Sequence, residues 1–350
     1  MDTRIPTLSP ANFLSRRNFL KAAAAATAGS GAMVSVGSVH AQGLLDIRVQ
    51  YDWLMGNGQL GDIVAARKGY YAEEGLLVTF GPGGPNAQTV PPVLAGQAQF
   101  AQFSTTNQFL VAVGAGRPLK LFACGYQLSP YGYISLPKAP VRKPQDFVGK
   151  TVAVNPNGRQ GLALILALHK IDPATVKVVT MGTDMTALLA GQVDVASGFI
   201  TNTKALSMLG PDRIVMTSEE AGITGYANPY FTSAQGYDKQ KDVLARFIKA
   251  TAKGWKWAYD NRRAAVDVMC EAYPNLDKQV EYDTVDIIMR LSFTHETREH
   301  GWGWFSNERL NRQIDIYKTA GIFAGAVPSA SEIATQEVLQ KTAGSRAKVG

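Results

Sequence analysis

Cysteine and histidine are scarce in this chain of 350 residues, and their scarcity excludes most metal and thiol chemistry. Cys124 sits in an apolar run and Cys270 on a helical face; two buried thiols are the simpler reading, a bridge the other. Among the four histidines, His295 and His300 lie five apart. A zinc protease presents two rings on one helical face at a spacing of four, so neither a metal nor a cofactor is expected. Blocks of lysine and arginine are missing too, and with them the case for nucleic-acid binding. There is no Gly-x-Ser-x-Gly elbow, and Gly81-Pro-Gly-Gly-Pro85 lacks the Gly-Lys-Ser/Thr ending of a phosphate-binding loop. Beyond residue 41 no apolar run reaches the ~18 residues of a membrane-spanning helix.

What is present begins with a specific N-terminal pattern. Ser15-Arg16-Arg17-Asn18-Phe19-Leu20-Lys21 is a twin-arginine motif, and the Ala/Gly-rich tract from Ala22 to Val36 follows it. Val39-His40-Ala41 supplies small residues for cleavage, so residues 1–41 are expected to be a signal peptide for export in the folded state. With no cysteine near the cleavage point, a lipid anchor is not expected, and the reading is a free periplasmic protein. The net charge of +7 falls to about +4 without residues 1–41, which carry Arg4, Arg16, Arg17 and Lys21 against Asp2. The remaining ~310 residues favour two domains over one core.

An internal echo organises those residues. Val93-Leu-Ala-Gly-Gln-Ala-Gln-Phe-Ala101 returns 95 residues later as Leu188-Leu-Ala-Gly-Gln-Val-Asp-Val-Ala196, identical at five of nine positions. Each copy reads as a helix end, a glycine stop and a short strand, and the elements around them alternate strand and helix. That alternation predicts an α/β fold of two lobes with mostly parallel sheets, joined by a two-strand hinge. Lobe one is assigned to residues 42–127 and 226–350, lobe two to 128–225. A helix is expected from Gln59 to Glu74, and one from Asn86 that Pro91-Pro92 must interrupt or end early. Gly301-Trp-Gly-Trp-Phe305 reads as a surface or cleft-edge loop.

In such sheets ligands bind outside the carboxyl ends of the strands, where free N–H groups of the following helices converge. In lobe one those positions hold Trp53, Asn57, Gly84, Asn86, Ser104, Thr105 and Asn107. In lobe two they hold Asn157, Arg159, Phe199, Thr201 and Asn202, with Tyr226 at the hinge. Helix capping accounts for Ser, Thr and Asn at these positions as well as ligand contact does. For Trp53, stacking on a flat ligand and covering the cleft edge both fit. Arg159 at a helix N-terminus is unfavourable beside the dipole and asks for an anionic ligand or a nearby Asp. No catalytic set is expected.

Tyr51-Asp-Trp53, Gly69-Tyr-Tyr-Ala-Glu-Glu-Gly-Leu76, Gly81-Pro-Gly-Gly-Pro-Asn86 and both Leu-Ala-Gly-Gln segments resemble periplasmic solute-binding proteins. The branch is that of thiamine pyrimidine precursors, taurine, alkanesulfonates and nitrate. The resemblance implies a hinge-closing, monomeric receptor that delivers a small ligand to an inner-membrane ABC permease. Pyrimidine-precursor binders tend to carry a Glu after the lobe-two strand, whereas Gly198-Phe-Ile-Thr-Asn-Thr-Lys204 has no carboxylate. Arg159 and Lys204 would suit a carboxylate or sulfonate. An enzyme of thiamine pyrimidine synthesis on the same fold is the alternative.

Overall fold

The computed structural model describes residues 43–350, apart from residues 82, 85, 86, 156, 157, 182, 183 and 324. The twin-arginine segment lies outside the described residues. The first sheet runs β2-β1-β3-β10-β4, from β1 (Leu45–Tyr51), β2 (Leu76–Gly81), β3 (Phe100–Gln102), β4 (Leu119–Tyr126) and β10 (Ala227–Ser233). The second runs β7-β6-β8-β5-β9, from β5 (Tyr131–Ser135), β6 (Thr151–Val154), β7 (Lys177–Thr180), β8 (Val195–Phe199) and β9 (Ile214–Thr217).

The two orders are the same, and in each the fourth slot runs against its neighbours. The reason is where the chain changes sheet. β4 and β9 end at the carboxyl edge of their own sheets, so the strands that follow, β5 and β10, enter the other sheet at that edge and must run away from it. The sheets are therefore mixed rather than simply parallel. β5 escapes a reading of the sequence because it is short, contains Gly132 and follows Pro130 directly.

On the first sheet pack α1 (Leu60–Arg67), α2 (Tyr70–Glu73), α3 (Val90–Leu94) and α4 (Thr106–Gly114); on the second, α5 (Gly158–Leu168), α6 (Thr186–Leu189) and α7 (Thr203–Ser207). After β10 come α8 (Ala234–Lys239), α9 (Lys241–Asp260), α10 (Arg262–Ala272), α11 (Lys278–Ser292), α12 (His295–His300), α13 (Asn307–Thr319), α14 (Ala330–Ile333) and α15 (Glu337–Lys341). The echo holds in space. Leu94 ends α3, Gly96 turns at φ 71 and β3 follows; Leu189 ends α6, Gly191 turns at φ 73 and β8 follows. Both strands take the third slot.

Three local expectations need correction. The helix expected from Gln59 to Glu74 breaks at Gly69, whose φ of 76 belongs to the left-handed region. Pro91 and Pro92 neither interrupt nor end their helix: they occupy the first turn of α3, where a missing N–H breaks no helical hydrogen bond. The Gly301–Phe305 segment is a core element rather than a surface loop. Left-handed Gly301 and Gly303 turn Trp302 onto Trp255, rings 5.8 Å apart and 18° from parallel, and the Gly303 carbonyl accepts from Cys124 N–H. Both cysteines are free thiols, Cys124 buried and Cys270 half-buried.

A buried carboxyl pins the first core. Asp62 on α1 accepts from Tyr51 and Tyr230 hydroxyls at 2.8 Å and from the Trp255 indole at 3.3 Å. These bonds tie β1, β10 and α9 to α1. The second sheet carries one apolar cluster around Tyr133, Phe147 and Leu162 and another around Ile134, Met185 and Leu188.

Candidate ligand-binding site

Asp52, directly after β1, organises the first rim. Its carboxylate accepts from the Ser104 N–H at 2.8 Å, the Ser104 hydroxyl at 2.9 Å and the Gln108 amide at 3.0 Å. Burial raises its pKa, and these three bonds oppose the rise. Gln108 in turn accepts from the Thr105 N–H at 3.1 Å, capping α4. The loop after β2 closes on the same place: Gly84 N–H donates to the Asp52 carbonyl and Gly83 N–H to the Trp53 carbonyl, both at 3.1 Å. A Cβ on Gly83 would stand 2.2 Å from Trp53 N, so the loop approaches as only glycine allows. Ser104, Thr105, Gly84 and Trp53 are thus brought together. Trp53 itself stands out of this packing, 45% exposed.

The second rim is built the same way. Asn155 after β6 accepts the Gly158 N–H at 2.7 Å. A Cβ on Gly158 would lie 1.9 Å from the Tyr131 hydroxyl, which donates to Ser197 at 2.7 Å. Phe199 meets Tyr131 edge to face at 5.3 Å. Arg159 is exposed and donates to the neutral Thr180 hydroxyl at 2.5 Å. Thr201 and Asn202 are half-buried in the turn into α7, where the Asn202 N–H donates to the Phe199 carbonyl at 2.9 Å.

Two named residues are occupied elsewhere. Asn107 accepts from buried Gln313 on α13, at 2.6 Å. Tyr226 is 1% exposed, its hydroxyl accepts the Ser306 N–H at 2.9 Å, and the Arg309 guanidinium lies 4.7 Å over its ring. Asn86 and Asn157 lie outside the described residues.

Asn57 leads to residues that the sequence did not flag. It lies in a 3-10 turn before α1, and its amide donates to the Glu281 carbonyl at 3.2 Å and to the Glu281 carboxylate. Glu281 is half-buried on α11; burial, with Asp277 beside it, pushes its carboxyl up to about 7. The same helix reaches the second rim. Thr284 and Thr203 hydroxyls are 2.9 Å apart, and Lys204 pairs with Asp277 at 3.5 Å. From the second rim, Ile200 packs against the first core.

His169 bonds the Ala221 carbonyl at 2.9 Å and caps the far end of α5, roughly 16 Å along the helix from Gly158. Trp304 stacks on His300 with ring centroids 4.1 Å apart. No group of three or more metal-ligating side chains occurs among the described residues, and no helix among them is long and apolar enough to cross a membrane.

The family model described as NMT1/THI5 like matches residues 58–265, and the chain belongs to that family. It is 24% identical over 274 residues to the riboflavin-binding protein RibY of Chloroflexus aurantiacus, covering 75% of this chain and 78% of that one. It is 25% identical over 221 residues to the 4-amino-5-hydroxymethyl-2-methylpyrimidine phosphate synthase of Legionella pneumophila, covering 61% and 69%. The periplasmic aliphatic sulphonate binding protein SsuA of Escherichia coli superposes with a TM-score of 0.61 at 14% identity, over 85% of this chain and 99% of that one. That likeness shows the fold: two α/β lobes of the periplasmic-binding-protein type.

Proposed function

We propose that this chain is the substrate-binding receptor of an ABC importer, closing two lobes on a small organic ligand and handing it to an inner-membrane permease. One observation carries the reading. The two sheets share one strand order, and the chain passes from the carboxyl edge of each into the other after β4 and after β9; the loops at those edges are rich in Ser, Thr, Asn and Gly and carry the exposed Trp53. This is where open α/β sheets bind ligands. The stretches 127–130 and 218–226, where the chain changes sheet, act as the hinge in this reading. Contacts made only in the closed form shift the population toward it, and that form is what a permease reads. The reading places the protein in the periplasm after twin-arginine export, as a monomer without a lipid anchor. A ligand that is a pyrimidine-like heterocycle or an organic anion is compatible with the rims.

A synthase is the second reading, favoured by the name of the Legionella relative. That chemistry is associated with a Cys-rich motif and a reacting histidine. Here Cys124 is buried in β4 and His169 is bonded to a backbone carbonyl. Native mass spectrometry of the purified protein tests the receptor reading. A co-purified small molecule that is released unchanged supports it; catalytic turnover of bound heterocycle, followed by chromatography, overturns it.

A further inference from the structure

Helix α13 belongs to two cores at once. Its buried face is Arg309, Leu310, Gln313, Ile314 and Tyr317, at spacings that line them up along one side. Leu310 and Ile314 lie in the core of the first lobe. Tyr317, three residues further, is buried in the second core with Tyr133, Phe147 and Leu162, and Ile316, Ala320 and Ile322 pack around the same cluster. Phe323 then turns back and packs on both cores. A Cβ on Gly114, at the far end of α4, would meet its ring at 2.5 Å. The residues that chain order assigns to lobe one therefore include a piece, 316–322, that closes the core of lobe two.

Between the two ends sits Gln313, completely buried. Its side-chain carbonyl accepts from the Thr106 hydroxyl at 2.8 Å, and its amide donates to Asn107 at 2.6 Å. Both partners open α4, directly after Ser104 and Thr105 of the first rim. A Cβ on Gly225 would stand 2.7 Å from the same amide, so the return crossing lies against it as well. Arg309, one turn earlier, holds that crossing through Thr224 and Gly225. Thr106 completes the connection: its N–H donates to the Tyr226 carbonyl at 3.0 Å, and its hydroxyl oxygen accepts the Tyr226 N–H at 3.1 Å. A helix of 13 residues is stiff on this scale, because bending it sharply breaks backbone hydrogen bonds. Rotation of lobe two about the crossings must carry α13 with it, or pull Tyr317 out of one core or Leu310 out of the other.

We propose that α13 is a third, helical element of the hinge, and that Gln313 is the positioning residue through which lobe two sets the Ser104–Asn107 rim. When lobe two turns, the Tyr317 end of α13 turns with it, and Gln313 carries the start of α4 along. The first rim reaches its final arrangement only in one orientation of the lobes, so a half-closed molecule presents an incomplete site. That consequence for ligand capture rests on the receptor reading; the coupling itself is measured without ligand.

Amide hydrogen exchange of the purified protein, followed by mass spectrometry, tests the proposal. The N–H groups of Ser104, Thr105 and Thr106 are all bonded and report on the rim. Those of β6 and β8 report on lobe two. Tyr317→Ala should speed exchange about tenfold in both places, because it unseats the end of α13 from the second core. Gln313→Leu, similar in size and uncharged, should speed the rim by about the same factor and leave β6 and β8 within about twofold of wild type. The double variant should exceed either single one at the rim by no more than about twofold, since both cut one connection. Leu188→Ala, in the other cluster of the second sheet, should speed β6 and β8 and leave the rim unchanged. Where alanine at position 317 prevents folding, Tyr317→Leu takes its place. The proposal is overturned if Tyr317→Ala spares either the rim or lobe two, if Gln313→Leu spares the rim, if the two effects multiply to about 100-fold, or if Leu188→Ala speeds the rim as Tyr317→Ala does. Catalytic turnover would remove the receptor reading and leave these rates as they are.

Discussion

A Cβ atom on Gly254 would stand 2.1 Å from the carbonyl oxygen of Gly61, so α9 and α1 cross with backbone against backbone. Gly61 is equally confined, since a Cβ there would meet the Trp255 ring at 2.1 Å. Gly254→Ala should destabilise the protein by about 2–3 kcal/mol, because overpacking outweighs the ~1 kcal/mol that alanine gains in a helix. Guanidinium unfolding checks this; a midpoint at or above wild type would refute it.

Asp62 should make stability fall as pH rises. Its folded pKa is raised from 3.8 to about 6, because burial outweighs the bonds from Tyr230, Tyr51 and Trp255. Folding therefore favours the acid form. The contribution is fully present below about pH 4 and is lost as pH rises through about 6, a difference of about 3 kcal/mol. Urea unfolding of wild type and Asp62→Asn at pH 4 and pH 8 measures it. The gap between the two proteins should shift by about that amount, with wild type relatively weaker at pH 8. Glu281 has the same sign but is common to both proteins and cancels. A pH-independent gap would contradict the assignment.

Trp53→Ala should weaken ligand binding by about 1–3 kcal/mol while changing unfolding free energy by less than about 0.5 kcal/mol. The side chain is 45% exposed, and the bond its residue makes to Gly83 uses the backbone carbonyl, which alanine keeps. Equal affinity in titration would take Trp53 out of the site.

Arg309 anchors the return crossing into the first sheet. It donates to Glu219 at 2.9 Å, to the Gly225 carbonyl at 3.0 Å and to Thr224 at 3.0 Å, and is 8% exposed. Arg309→Met should cost about 2–4 kcal/mol, since it strands buried acceptors. Glu219→Gln should cost about 1 kcal/mol or less, because that carboxylate is 43% exposed. Equal losses in thermal or chemical unfolding would mean that the ion pair, not the carbonyl contacts, holds the crossing.

The features legible in the sequence were local ones. Gly96 and Gly191 mark helix ends whatever surrounds them, so both copies of the repeat and their strands could be read directly. Trp53, Ser104 and Thr105 were legible because loops after strands have a known place at a sheet's carboxyl edge. Glu281 was not, because its partner Asn57 is 224 residues away and α11 reads by its apolar face. Asp62 hid within the apolar pattern of α1, and only β1, β10 and α9 together reveal its partners. Tyr226 reads from sequence as an aromatic at the hinge, where core packing and ligand contact both fit; it is buried, and the Ser306 N–H that its hydroxyl accepts comes from a loop 80 residues later.

Strand order also dictates the order in which the molecule can be completed during synthesis. The second sheet draws all its strands from residues 131–217, so it can close while the ribosome is still working. β4 has to wait. Its neighbour β10 and its bridging residues Gly303 and Ala334 all emerge after residue 226, long after β4 itself. A nascent or truncated chain that stops short of Ser233 carries a mostly apolar strand of eight residues with an open edge on each side, the kind of surface on which unfinished chains aggregate.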